Sequence, residues 1–306
     1  TVVNALGNPL VAQRGSYDNG KLSVIELAQA SGLGDLPDKS PLKASTYGTG
    51  LQIKKALAEG AEEIILTLGG SATVDGGMGL MAALGARFFD ERGCEILKDR
   101  NPLMEFSEVD FSGLPDQFFD VKWTILADVD NPVFGRNGGV RTFGPQKGLS
   151  DSQIVDLEAK MWKWAEALTH QYEPDMVRTS GSGAAGAVAL PFLAKGNVRM
   201  ENGFNWISKT FGLEKQIENC EVVITGEGKL DLQTEMGKGP GKLAAMARQK
   251  GKWTIAVVGY QEVKADLFDH VISLDTLAEN ANALMTHPAF FLEKAAESVV
   301  KLLHSF

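Results

Sequence analysis

Apolar residues in this sequence occur in short continuous runs that alternate with longer stretches of helical periodicity. The strands predicted along the chain cover 10–14, 23–27, 63–68, 123–127, 222–225, 253–258 and 271–274, and several of them are continuous apolar runs. Short continuous apolar runs are typical of strands that are covered on both faces. Helical patterns lie between them, at 46–59, 78–84, 151–171 and 242–249. This alternation predicts an α/β fold with largely parallel sheets.

A change in the pattern near residues 195–215 divides the chain. Lys195, Gly196 and Asn197 interrupt the alternation, and a regular strand–helix–strand order follows them. We therefore predict a domain boundary near residues 195–215.

Composition and charge narrow the possible function classes. The 306 residues are 44% hydrophobic and 23% charged, as in a globular protein with a sizeable core. The net charge of −9 argues against general binding to nucleic acid or to an anionic membrane. No apolar run reaches the roughly 20 residues that span a bilayer. Cys94 and Cys220 have no cysteine or histidine at metal-ligand spacing, so we expect reduced thiols and a cytoplasmic protein.

Three predicted strands end in segments that combine glycine with acidic residues. The acids are Asp75 in the first segment, Asp128 and Asp130 in the second, and Glu227 and Asp231 in the third. Ligands of open α/β sheets bind beyond the carboxyl ends of the strands, where glycine exposes N–H groups to anions and carboxylates hold Mg²⁺ or accept protons. One such loop is equally well explained as a tight turn with a capping acid. Three in one chain favour a site for a nucleoside triphosphate and its metal.

Asp128 and Asp130 are two residues apart, so both carboxylates lie on one face if the strand continues through them. Adjacent carboxylates repel each other, and such a pair implies a cation or one protonated member. Two acids that simply face solvent at the end of a strand are the alternative.

Two glycine strings imitate the dinucleotide-binding fingerprint. Residues 181–186 match G-x-G-x-x-G, and residues 77–82 match its alanine-ended variant, but neither directly follows a predicted strand. A nucleotide-dependent oxidoreductase is therefore disfavoured, and the P-loop signature is absent. The first string could still hold phosphate at the start of a helix predicted for 184–193, which Pro191 would shorten or kink.

Lysines stand in three glycine-containing turns, at Lys147, Lys229 and Lys238. A lysine in such a turn can meet a phosphate as a point charge, although each one alone is more often an exposed turn residue.

Six segments resemble, in order, blocks of the type-1 glycerate kinase family. They are ASTYGTG at 44–50, GGSATVDGG at 69–77, ADVDNP at 127–132, FGPQKG at 143–148, GSGAAG at 181–186 and ITGEGKLD at 224–231. The resemblance implies transfer of the γ-phosphoryl group of ATP to D-glycerate with Mg²⁺, forming 2-phosphoglycerate in preference to 3-phosphoglycerate. It also implies two α/β domains around a cleft. Residues 1–200 would be an inserted domain, and residues 201–306 the C-terminal part of a flavodoxin-like domain. We also expect the protein to form a homodimer.

The resemblance and the glycine–acid segments together give a candidate set of site residues. The proton acceptor would be Asp231, with Asp75 as second choice, and Lys229 would neutralise substrate charge. Anionic oxygens of ATP or glycerate would meet Gly69, Gly70, Ser71, Thr73, Lys147, Ser182, Gly183, Gly226 and Gly228. The ligands of Mg²⁺ or its waters would be Asp128, Asp130 and Glu227.

The sequence departs from the family pattern in four respects. An N-terminal strand with a serine- and lysine-containing loop, and an A-D-G-G-E-G block, do not occur in it. Val74 stands where the family commonly has asparagine, and Ala187 where it commonly has a second glycine. The alternative function is therefore a catalytically incomplete chain that binds a small anion without phosphorylating it.

Overall fold

The computed structural model describes the chain except for residues 35–38, 98–99, 170–173, 197, 232–233, 235–238, 265 and 305–306. The described residues form two compact units, 1–203 and 204–306. Both units combine helices with a largely or wholly parallel sheet, so the predicted α/β fold class is confirmed. The assignment of 1–200 to an inserted domain and of 201–306 to part of a flavodoxin-like domain stays a prediction.

The first unit contains nine described strands. Their bounds are β1 (Val2–Val3), β2 (Pro9–Leu10), β3 (Gly15–Tyr17), β4 (Leu22–Glu26), β5 (Glu63–Thr67), β6 (Arg87–Phe89), β7 (Glu108–Asp110), β8 (Lys122–Leu126) and β9 (Val198–Glu201). The main sheet has the order β3-β4-β5-β8-β9, and only its β3–β4 pair is antiparallel. The predicted strand at 10–14 is wrong beyond Leu10, where β2 ends.

The helices of the first unit cover its sheet. They are α1 (Ala28–Ser31), α2 (Tyr47–Ala58), α3 (Met78–Leu84), α4 (Gln117–Asp120), α5 (Gly139–Lys147), α6 (Asp151–Thr169), α7 (Pro174–Arg178), α8 (Ala184–Ala187) and α9 (Leu190–Lys195). The helix predicted for 78–84 has those bounds, and the one predicted for 151–171 is described as far as Thr169. Its Trp164 is fully buried, whereas Trp162 is 38% exposed.

The second unit is built on three parallel strands. They are β10 (Val222–Leu230), β11 (Trp253–Gln261) and β12 (His270–Ser273), paired in that order. The helices around them are α10 (Gly203–Phe211), α11 (Leu213–Glu218), α12 (Gly239–Gln249), α13 (Ala281–Thr286) and α14 (Pro288–Leu303).

Strand β10 is longer than its apolar run. The sequence predicts a strand over 222–225 followed by a glycine loop, but the strand continues to Leu230. Residues 226, 227, 229 and 230 remain paired because β11 also continues past its own glycine, Gly259. A Cβ at Gly259 would lie only 2.5 Å from the carbonyl oxygen of Gly228, so glycine there permits the close approach of the two strands.

No helix in the described part of the chain is both long enough and apolar enough to cross a membrane.

Helices α2 and α3 pack against each other at a glycine. A Cβ added to Gly50 of α2 would lie 2.6 Å from the carbonyl oxygen of Leu80 and 2.6 Å from the Cβ of Ala83, both on α3. These distances are well inside van der Waals contact, so the absence of a side chain at position 50 sets the spacing of the two helices.

Gly50→Ala should therefore force α2 and α3 apart and lower the free energy of unfolding by about 1–3 kcal/mol. Gly34→Ala is the matched control, because a Cβ at Gly34 would have no heavy atom within 4 Å. Urea denaturation of both variants tests this, and equal stabilities would contradict the packing account.

Candidate functional site

Two loops of the first unit lie side by side at one edge of its sheet. One follows β5 and contains residues 68–77, and the other follows β8 and contains residues 127–138. β5 and β8 are parallel neighbours with Thr67 opposite Leu126, so their carboxyl ends meet at the same edge. Ligands of α/β proteins bind at such an edge.

A third glycine segment, residues 179–187, joins these two loops through backbone hydrogen bonds. The Gly76 N–H donates to the Gly186 carbonyl over 3.0 Å, and the Gly183 N–H donates to the Asn131 carbonyl over 3.0 Å. The structure therefore brings together the three predicted glycine segments of the first unit.

The contact between the first and third segments requires glycine. A Cβ at Gly186 would lie 2.4 Å from the Thr73 carbonyl oxygen, and the φ angle of Gly186 is +71°. Its neighbours Ala185 and Ala187 also have positive φ angles, 52° and 65°. The predicted helix 184–193 is wrong here, because these left-handed residues interrupt it within α8 and the next helix, α9, begins only at Leu190. Glycine at position 187 would relieve backbone strain, which gives a physical reason for the glycine that the family commonly has there.

Asp75 is fully buried and accepts four hydrogen bonds. Its Oδ2 accepts from the Thr46 N–H at 2.7 Å, the Thr46 hydroxyl at 2.8 Å and the Gly79 N–H at 3.2 Å, while Oδ1 accepts from the Gly77 N–H at 3.2 Å. Burial raises the pKa of Asp75, and these hydrogen bonds oppose the rise. Because each of these neighbours donates, the carboxyl group fits the site as an ionised acceptor.

This arrangement gives Asp75 a positioning role. Its carboxylate ties the start of α2 to the first turn of α3, and its oxygens have no exposed surface from which to receive a proton from a substrate. The geometry therefore argues against Asp75 as the second-choice proton acceptor.

Lys147 lies in the last turn of α5, not in the predicted turn, and its side chain is buried. Its Nζ donates to the Ser71 hydroxyl over 2.8 Å and to the Thr73 carbonyl over 2.7 Å. Burial lowers the pKa of Lys147 to about 8, and the charge of Asp75 opposes this shift. The ammonium group thus holds the loop after β5 from inside the protein.

Ser71 and the two glycines before it form the outer part of that loop. Gly69 and Gly70 are exposed, while Ser71 is 8% exposed and forms a β-bridge with Gly32. Within the described residues, no backbone hydrogen bond uses the N–H groups of Gly69, Gly70 or Ser71 as donors. Thr73 lies deeper, fully buried, and its hydroxyl has no hydrogen-bond partner in the described part of the chain.

Ser182 and Gly183 are buried in the third segment. The Ser182 hydroxyl donates to the Val177 carbonyl over 3.2 Å, and a Cβ at Gly183 would lie 2.2 Å from the Pro132 carbonyl oxygen. Both residues contribute to packing of the loops, and neither forms an open cradle for an anion.

Asp128 and Asp130 follow β8, which ends at Leu126, so the strand does not continue through them. Asp130 accepts a hydrogen bond from the Ser180 hydroxyl over 2.8 Å, and the Asp128 carboxylate lies against Gly203. No group of three or more His, Cys, Asp or Glu residues with metal-binding geometry occurs among the described residues. The assignment of Asp128, Asp130 and Glu227 to a metal stays a prediction.

The candidate residues of the second unit lie on β10 or directly after it. Gly226, Glu227, Gly228 and Lys229 are strand residues, and Asp231 follows the strand.

Two of these side chains have well-defined partners. Glu227 Oε1 accepts from the Thr234 hydroxyl at 2.6 Å. Lys229 forms a salt bridge of 2.7 Å with Glu262, and the hydrogen bond that Lys229 donates to the Glu262 carboxylate raises the pKa of Lys229. The Thr234 N–H donates to the Asp231 carbonyl over 3.0 Å, which fixes the backbone just beyond the strand. Lys238 lies outside the described residues.

Sequence reasoning missed two residues that shape the site in the first unit, Thr46 and Trp164, and it missed the contact between the predicted residues Ser71 and Lys147. Thr46 donates to Asp75, Trp164 donates its indole N–H to the Gly76 carbonyl over 2.8 Å, and Ser71 pairs with Lys147 across 76 residues of sequence. Thr46 could have been identified from the sequence, because a threonine just before a helix is a common N-cap. The contacts of Trp164 with Gly76 and of Ser71 with Lys147 produce no local sequence pattern.

The sequence matches the profile of the Glycerate kinase family over residues 1–304. The chain belongs to the glycerate kinase family. It is 34% identical to the glycerate kinase of Halalkalibacterium halodurans over 97% of this chain and 80% of that protein. It is 38% identical to the glycerate 2-kinase of Escherichia coli K12 over 84% of this chain and 68% of that protein.

A crystal structure assigned to glycerate kinase 2 of Salmonella typhimurium LT2 is similar to this kinase in fold. The TM-score is 0.76 at 32% sequence identity, and the match covers 99% of this chain and 82% of that one. The predicted family and the predicted kinase class are confirmed by these comparisons.

Asp75→Asn should destabilise this kinase strongly. The amide group would place N–H donors against the donors of Thr46, Gly77 and Gly79, and we expect a loss of about 3 kcal/mol in the free energy of unfolding. Asp156→Asn, at an exposed position on α6, is the control. Equal unfolding free energies for the two variants, measured in urea, would refute the positioning role of Asp75.

Lys147 should make the stability of the kinase depend on pH. Its pKa is about 8 in the folded protein and 10.5 ordinarily, so between these values the unfolded chain binds more protons and stability rises with pH. From pH 8 to pH 10 the wild type should gain about 2 kcal/mol relative to Lys147→Met.

Urea denaturation of both proteins across this pH range measures the effect. Lys54→Met, at an exposed position on α2, should show no comparable change relative to the wild type. A constant difference between wild type and Lys147→Met would contradict the lowered pKa.

Proposed function

We propose that this family member transfers the γ-phosphoryl group of Mg-ATP to D-glycerate and forms 2-phosphoglycerate. Membership of the glycerate kinase family supports the acceptor and the donor. The Escherichia coli relative, described as a glycerate 2-kinase, supports the position of phosphorylation.

The observation that carries this proposal is the turn at Gly69, Gly70 and Ser71. It lies beyond the carboxyl end of β5, its glycines are exposed, and within the described residues its N–H groups donate no backbone hydrogen bond. Consecutive free N–H groups with glycine at a positive φ, here +67° at Gly70, are suited to anionic oxygens. Both substrates present such oxygens, as phosphates and as a carboxylate.

Phosphoryl transfer depends mainly on positioning and on stabilisation of charge. We assign the N–H groups of Gly69–Ser71 to an anionic oxygen of one substrate, held rigid by Asp75 behind them. Asp231 would accept the proton of the glycerate hydroxyl, and Lys229 would neutralise negative charge near it.

A magnesium ion in a nucleotide site is usually held by one or two carboxylates together with phosphate oxygens. Asp128 and Asp130, which follow β8 at the same edge of the sheet, would supply such carboxylates without a larger protein cluster. The ion would neutralise charge on the transferred phosphoryl group. A homodimer and a cytoplasmic location remain further predictions for the same protein.

A coupled ATP assay on D-glycerate, with ³¹P NMR of the product, tests the proposed function. Asp231→Asn should lower kcat by about 100-fold or more with little change in KM, because it removes a general base. Asp266→Asn, an exposed acid of the same unit, is the control and should keep wild-type turnover.

Three results would contradict these assignments. Near-normal turnover of Asp231→Asn would remove its role, and 3-phosphoglycerate as the product would correct the regiochemistry. Absence of any D-glycerate phosphorylation by the wild type would favour the alternative of a chain that only binds a small anion.

A further inference from the structure

Lys147 carries a buried ammonium group that makes no salt bridge within the described part of the chain. Its hydrogen bonds go to one hydroxyl and one carbonyl, those of Ser71 and Thr73. The charge of Asp75 offsets only part of the cost of burying this ammonium group, and a methionine of similar length would fill the same space without that cost. A lysine at this position therefore calls for a role beyond packing.

Lys147 is too deeply buried to contact a ligand directly, whereas Ser71 adjoins residues that a ligand can contact. Lys147 is only 3% exposed and Thr73 is fully buried, whereas Ser71 is 8% exposed and directly follows the exposed Gly69 and Gly70. Lys147 is thus more deeply buried than Ser71, whose hydroxyl it contacts, and Ser71 adjoins the exposed part of the turn.

The direction of the hydrogen bond decides what Ser71 can do. Lys147 can only donate, so its bond at 2.8 Å uses a lone pair of the Ser71 oxygen and leaves the hydroxyl proton for another acceptor. Among the described residues, no acceptor for that proton is found. A hydroxyl that accepts from a cation is polarised and becomes a stronger donor.

We propose that the Ser71 hydroxyl donates a hydrogen bond to an anionic oxygen of the bound substrate, and that Lys147 acts through Ser71 as a positioning residue. The inference rests on the proposed function for the identity of the substrates. The shared chemistry is an anionic oxygen, which D-glycerate supplies as a carboxylate and ATP as a phosphate. Lys147 itself, which the sequence assigns to a direct contact with phosphate, touches neither.

A purely structural role for Lys147 makes a different prediction. If Lys147 only braces the loop after β5 through the Thr73 carbonyl, its removal harms the protein equally whether or not position 71 carries a hydroxyl. If it acts through Ser71, its removal has little further effect once that hydroxyl is gone.

A double-mutant cycle of Ser71→Ala, Lys147→Met and the double variant separates these roles. The dissociation constants of D-glycerate and of ATP are measured by calorimetry, with kcat, KM and thermal midpoint recorded for each protein. We expect each single variant to weaken binding of one substrate about tenfold. The double variant should bind no more weakly than the worse single variant, and the substrate affected identifies the carboxylate or the phosphate.

Two further variants keep the test decisive. Ser31→Ala removes a buried hydroxyl from the segment bridged to Ser71, one that bonds Thr49 over 2.8 Å, and should leave both dissociation constants unchanged. Ser71→Thr restores a hydroxyl and should recover most of the binding. If Lys147→Met fails to fold, the comparison of Ser71→Ala with Ser71→Thr still decides whether the hydroxyl contacts a ligand.

The proposal is overturned if Ser71→Ala binds both substrates as the wild type does, or if the two single effects multiply in the double variant. Calorimetry measures substrate binding independently of phosphoryl transfer, so it distinguishes this outcome from failure of the proposed function. A wild type that binds one of the two substrates with the expected coupling, yet does not phosphorylate D-glycerate, supports the role of Ser71 and refutes the kinase assignment.

Discussion

The buried carboxylate of Asp75 is the interaction on which the first unit's candidate site depends. It accepts hydrogen bonds from the start of α2 and from the first turn of α3, and it lies at the inner end of the loop after β5. Lys147 holds the outer half of the same loop through Ser71 and Thr73. The Asp75 carboxylate, the Lys147 ammonium group and the end of β5 together fix the turn at Gly69–Ser71, whose two glycines are exposed to solvent. Preorganised N–H groups of this kind bind an anion without first losing conformational freedom.

The glycines of this site serve two different purposes. Gly69 and Gly70 are exposed and leave room for a ligand. Gly183 and Gly186 are buried where loops touch, and a Cβ at either would collide with a carbonyl oxygen of another segment. The two strings look alike in the sequence, yet Gly69 and Gly70 are accessible to a substrate whereas Gly183 and Gly186 are not.

Much of the fold follows from local patterns. The alternation of apolar runs and helical stretches predicts β5, β8 and α3 because their burial is continuous and their lengths are ordinary. It fails at β10, where glycine and charged residues suggest a loop but pairing with β11 maintains the strand. Tertiary pairing overrides local preference there.

The site was predictable only in part. The motif at 69–77 marks the correct loop, because glycine and acid after a strand are a local signal. The burial of Lys147 and its contact with Ser71 depend on chain segments 76 residues apart, and no periodicity encodes them. For the same reason the sequence suggests Asp75 as a reactive acid, whereas the structure surrounds it with donors and gives it a positioning role.

The central claim is that the turn at Gly69–Ser71 binds an anionic oxygen of a substrate. A crystal structure of the protein with D-glycerate and a non-hydrolysable ATP analogue tests it most directly. The account predicts a carboxylate or phosphate oxygen within hydrogen-bond distance of the Gly70 or Ser71 N–H and of the Ser71 hydroxyl. Both ligands bound, with neither touching this turn, would contradict it.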